Sequence, residues 1–137
     1  MKSYTDLEQS KKLTEILSRE SADMVFLHEE PYETSDSKFD GLHQALCVSF
    51  CQYDKSWRQK YRNISYFPCW SLAALLNYIK DKCGYFELVY LNSTFDGRAN
   101  KLENVYRLST DVYDIYEKEA VDACVEMILK LNELKLL

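Results

Sequence analysis

Glycine occurs only at Gly41, Gly84 and Gly97, and proline only at Pro31 and Pro68. Glycines so far apart build no phosphate-cradling loop, which argues against a nucleotide enzyme of the usual glycine-motif types. Histidine is equally scarce, at His28 and His43, so a nucleophile has few bases to draw on. No apolar run approaches the ~18–20 residues that span a bilayer. The opening MKSYTDLEQSKK is polar, with no apolar secretory core behind its lysine. A net charge of −5 works against general attraction to phosphate backbones. The five cysteines are odd in number and irregularly spaced. They read as reduced thiols of a cytoplasmic protein without membrane association.

What is present is apolar and aromatic. Apolar residues make up 47% of the 137-residue chain, enough for the core of a single domain spanning 1–137. Tyrosine accounts for 11 residues, against six phenylalanines and two tryptophans. Tyrosine buries a ring while keeping its hydroxyl wet, which suits half-exposed sheet faces and contact surfaces alike.

Along the chain, Thr5 and Glu8 have capping-box spacing. Leu7, Leu13, Ile16 and Leu17 follow as a thin helical stripe. MVFLHEE reads as a strand cut off by Pro31, and the polar stretch to Gln44 as a hairpin loop with an Asp40–Gly41 turn. ALCVSFCQY alternates as a second strand, and DKSWRQKYRN reads as a basic, aromatic connector. After Gly84 come YFELVYLN, a turn at Asp96–Gly97, NVYRLST, VYDIY and a last helix from about Lys118 to Leu136. This order, α-β-β-α-β-β(-β)-α, predicts an α+β fold: an antiparallel sheet with helices packed mainly on one face. Phe39-Asp40-Gly41 and Phe95-Asp96-Gly97 occupy matching loop positions, which raises a duplicated ββα unit as an alternative ancestry.

The stretch YFPCWSLAALLNYIK, Tyr66 to Lys80, raises the sharpest question of chemistry. Pro68 suits the first turn of a helix. Leu72, Leu75, Leu76 and Ile79 then form one core-facing stripe, with Gly84 as the left-handed cap and Trp70 packing the helix entrance against the sheet. A Cys69 thiol in that first turn would feel the positive end of the helix dipole. A thiol-dependent enzyme using Cys69 is therefore an alternative reading, although neither histidine is tied to it by sequence. The anchoring role is preferred, and no catalytic residue is assigned.

Three segments carry a resemblance: FPCWSLAALLNYI, LTEILSRESADMVF with its Ala22-Asp23-Met24, and EAVDACVEMILKLNELK. They resemble uncharacterised short proteins of phages and other mobile elements from gut Bacteroidetes. The resemblance implies one small intact domain and a mobile-element origin, and supplies no catalytic residue.

Other constellations are weaker. His43, Cys47 and Cys51 are evenly spaced and His28 would be a fourth ligand. Ligands four apart on a strand are separated by ~13 Å, however, so no metal or cofactor is expected. KSWRQKYR interleaves Lys55, Arg58, Lys60 and Arg62 with Trp57 and Tyr61, the composition of a single-stranded nucleic-acid surface. One such patch on an acidic chain makes nucleic-acid binding through residues 55–62 an alternative rather than the main expectation. Val121, Cys124, Val125, Ile128 and Leu131 form the core stripe of the last helix, widened by Met127, Leu134, Leu136 and Leu137. So wide a stripe means deep burial or self-association as a homo-oligomer. The preferred expectation is a non-enzymatic accessory protein of a mobile element that binds another protein. Its candidate contacts are Trp57, Arg58, Tyr61 and Arg62, with Tyr85, Tyr90 and Tyr106 of the second hairpin.

Overall fold

The computed structural model describes residues 1–31, 43–46 and 61–137, with side chains for all of these except 27–31, 43–46 and 61–66. The chain divides into two compact units, Asp6–Trp70 and a second built from Met1–Thr5 together with Ser71–Leu137.

The Asp6–Trp70 unit opens with helix α1, Leu7–Thr14, followed by a short 3-10 turn at Arg19–Ser21. The capping box sits one residue later than expected. Asp6 accepts from the Gln9 amide at 2.8 Å, and the Gln9 side chain accepts from the Asp6 amide at 3.0 Å. Aspartate outranks threonine as an N-cap, and Thr5 is buried. Strands β1 (Met24–Pro31), β2 (His43–Leu46) and β3 (Tyr61–Cys69) form an antiparallel sheet in the order β2-β1-β3. Met24, Phe26 and Cys69 pack together, with Leu7 of α1 and Phe67 of β3 closing over them. Trp70 is fully buried and its indole N–H donates to the Ser21 hydroxyl at 2.9 Å.

This placement corrects the reading of the Pro68 stretch. Pro68 lies in β3 opposite Val25, and Cys69 lies opposite Met24. β3 is an edge of its sheet, and an edge tolerates a residue with no N–H to give. The helix starts only after Ser71, whose hydroxyl accepts from the Ala74 amide at 3.2 Å. Cys69 is therefore a buried strand residue and lies outside any helical first turn.

In the other unit, helix α2 (Leu72–Cys83) has the expected stripe: Leu75 and Ile79 are fully buried, and Leu72 and Leu76 partly so. Gly84 ends it at φ 74°, donating to the Lys80 carbonyl at 2.7 Å. Strands β4 (Glu87–Phe95), β5 (Lys101–Ser109) and β6 (Asp114–Glu117) form a meander in the order β4-β5-β6, and helix α3 (Ala120–Glu133) packs on β5, β6 and α2. The fold is α+β as expected, with one more strand before α2, because β3 occupies the end of the connector and the start of the Pro68 stretch. The strands, however, belong to two three-stranded antiparallel sheets rather than one. The first strand is central in one sheet and the second strand in the other, so the two sheets do not repeat one topology. The Asp40–Gly41 turn, the alternation over residues 47–53 and the connector up to residue 60 lie outside the described residues.

Among the residues whose side chains are described, α3 supplies the largest share of the buried apolar ones. Val121, Cys124, Val125, Ile128 and Leu131 are buried as expected, and Met127 joins them. Leu134 and Leu136 are exposed instead, because the helix stops at Glu133. Lys135 takes a left-handed φ of 58°, while the Leu136 amide reaches back to the Leu131 carbonyl at 2.9 Å, a Schellman-type end. Burying Val121, Val125, Met127, Ile128 and Leu131 contributes about 8–15 kcal/mol of gross transfer free energy, an upper bound. Truncating Ile128 to alanine should therefore lower the unfolding free energy by about 2–5 kcal/mol. Leu134→Ala should change it by about 0.5 kcal/mol or less; urea titrations of the two variants measure the contrast.

Candidate binding surface on the second hairpin

β4 and β5 pair from Glu87 opposite Ser109 to Phe95 opposite Lys101. Alternating β-branched and aromatic residues favour such a ladder. The connecting turn is held by Asp96, whose carboxylate accepts from the Arg98 amide at 2.8 Å, the Asn100 amide at 3.0 Å and the Asn100 side chain at 3.4 Å. The Asn100 and Arg98 backbone bonds hold its pKa below the usual carboxylate value. Asp96–Gly97 was expected to provide the turn, yet Gly97 is not the left-handed residue. Ala99 is, at φ 60°, just after a turn closed by its own amide on the Asp96 carbonyl at 3.0 Å. This is a type I turn followed by a bulge position that glycine usually fills.

The ladder skips one pair, Asn92 opposite Asn104. Asn104 has φ 54°, a conformation asparagine tolerates better than most residues. An unbent β5 would hold its ends about 27 Å apart at the strand rise per residue. Instead Phe95, Asp96, Arg98, Tyr113, Asp114 and Tyr116 line one concavity of about 520 Å³. The hairpin tip therefore curls back toward β6, and the bend falls at Asn104. Tyr113 is set by Thr110, whose hydroxyl accepts from the amides of Val112 and Tyr113 at 3.3 Å each. The Lys130 ammonium lies 5.1 Å from the Tyr113 ring centre.

Among the residues whose side chains are described, aromatic exposure is concentrated in this unit. Phe95 is 63% exposed, Tyr90 51%, Tyr85 50% and Tyr113 41%. Tyr106 is half-buried and meets Tyr90 edge to face at 5.2 Å between ring centres, while the Tyr90 hydroxyl donates to Asn104 at 3.2 Å. The Tyr85 hydroxyl donates to Glu87 at 3.4 Å, and Glu87 is bridged to Arg107 at 2.9 Å. Of the expected contacts, Tyr90 and Tyr106 come together and Tyr85 stands exposed. Tyr61 and Arg62 are the first residues of β3, in the other unit, and Trp57 and Arg58 lie outside the described residues. Sequence reasoning missed Phe95 and Tyr113. Phe95 directly precedes a turn signal, a position that leaves a ring at a strand end.

Thiol chemistry finds no support among the described cysteines. Cys69 and Cys124 are buried, and burial pushes the Cys124 thiol up to about 12. Partly exposed Cys83 is also raised, by burial and then by the Asp111 charge. Among the residues whose side chains are described, no three His, Cys, Asp or Glu gather to hold a metal ion. Among the described residues no helix is long and apolar enough to cross a membrane. No family model matches the chain, and neither a curated protein nor a solved structure matches it.

Two outcomes are expected. Ala99→Gly should stabilise the protein by about 0.5–1 kcal/mol, because glycine relieves the left-handed position at some entropic cost; thermal unfolding reads the change. In the native protein at mildly alkaline pH, a disulfide reagent followed by peptide mapping should label Cys83 well before Cys69 or Cys124. Early labelling of Cys69 would revive the thiol-enzyme reading.

Proposed function

We propose that the protein is a non-enzymatic accessory protein of a phage or mobile element that acts by binding another protein. The observation carrying this reading is the exposure of Tyr85, Tyr90, Phe95 and Tyr113, with Phe95 next to the turn fixed by Asp96. Aromatic rings anchor interfaces well because they bury much area while losing few rotamers. A turn already locked by hydrogen bonds loses little further freedom on binding. Phe95 and Tyr113 also share a concavity with Asp96, Arg98 and Asp114, the polar rim that gives such a contact orientation.

Phe95 and Tyr113 are the anchors to remove first, because both are exposed and line the same concavity. The immobilised full chain should retain a protein from host or phage lysate, and Phe95→Ala with Tyr113→Ala should weaken that binding by about thirtyfold or more, the loss of one strong anchor. A wild-type chain that retains no protein, or a double variant that binds as well as wild type, overturns the reading.

A further inference from the structure

We infer that the protein pairs with a second copy of itself through the free edge of β4, joining two β4-β5-β6 sheets into one. Among the described residues, β4 pairs with β5 alone, and every residue from Glu87 to Phe95 is half-buried or exposed. The side of β4 turned away from β5 therefore carries a row of N–H and C=O groups that a further strand can take up. Proteins ordinarily blunt such an edge by keeping it short, or by placing charge, proline or a bulge on it. Among the described strands the other sheet edges follow that rule. β2 and β6 have four residues each, β6 begins and ends on a carboxylate, and β3 carries Pro68. β4 has nine residues, and from Leu88 to Phe95 it holds neither a charge nor a proline.

The same strand of a second copy is the occupant that fits. Antiparallel pairing about a two-fold axis at Leu91, the middle residue of β4, sets Leu88 opposite the second copy's Thr94 and Val89 opposite the second copy's Ser93. Glu87 then faces the second copy's Phe95, and the two Glu87 carboxylates stand about 27 Å apart at the strand rise per residue. No like charges meet across the seam, and Leu88, Val89, Tyr90 and Leu91 are residues that pleated pairing favours. The union also limits itself. It consumes the β4 edge of both chains and leaves β6 at each outer side, where a short, charged strand discourages further addition. A seam of one strand pair is small for an interface, which makes the dimer weak and reversible. The inference is independent of the protein-binding reading: it uses the backbone edge of β4 and stands even if no lysate protein is retained.

Sedimentation velocity of the full chain should show monomer at low micromolar concentration, giving way to dimer toward millimolar and no larger species. Asn92→Lys with Ser93→Lys, at two exposed positions, charges the seam in both copies and should raise the dissociation constant by about tenfold or more. In case that variant misfolds, hydrogen exchange on the wild-type chain gives a second readout. Backbone amides of β4 should exchange more slowly in concentrated than in dilute protein, while those of β6 keep the same rate. A chain monomeric at millimolar concentration, a dimer indifferent to the two lysines, an assembly that grows past two chains, or β4 amides indifferent to concentration would each overturn the pairing.

Discussion

The apolar side of α3 is the constraint on which the rest of its unit depends. Ala120, Val121, Ala123, Cys124, Val125, Met127, Ile128 and Leu131 are all buried, so this helix has little freedom to roll or slide. β5 and β6 lie beneath it and α2 beside it. Leu108 is fully buried in β5, and the Thr110 hydroxyl reaches the Met127 sulfur at 3.8 Å. The turn that displays Tyr113 is thus fixed from below by the core. The hairpin tip gains its order differently, through hydrogen bonds to one exposed carboxylate.

Left-handed backbone is unevenly matched to residue type. Gly84 occupies such a position at no steric cost, whereas Ala99, Asn104 and Lys135 do so with a side chain. A chain with so few glycines meets its turning requirements partly with strained residues, and strain of this kind persists only where the surroundings enforce it. Two of these three described residues, Ala99 and Asn104, belong to the hairpin that carries the exposed rings. The shape of that surface is therefore held against a local preference.

Local signals were the legible ones. The stripe of α2, its cap at Gly84, the stripe of α3 and the paired strands of the second hairpin all follow from periodicity and turn chemistry within a few residues. Pro68 misled because a proline suits a helix's first turn and an edge strand equally well; Ser71 decides between them by capping the helix. The division into two sheets was not legible, since strand partnership is a long-range choice that alternation alone does not encode. The candidate surface was half readable. Its tyrosines announce themselves by number, but their meeting in space required the register, and Phe95 with Tyr113 required the bend at Asn104.

The first residues of the chain have a particular place. Tyr4 bridges Ser71, the Leu72 amide donates to the Ser3 carbonyl at 3.0 Å, and Lys2 bonds Glu119 and Asp122 at 3.1 and 2.7 Å. The Asp6–Trp70 unit is thus an excursion that leaves and re-enters its neighbour at paired residues. During synthesis that excursion emerges whole and early, and domains generally fold as they emerge. Lys2, by contrast, meets Glu119 and Asp122 only once the start of α3 has been made. A residue near the start of this unit thus waits for a helix more than a hundred residues later to complete its site.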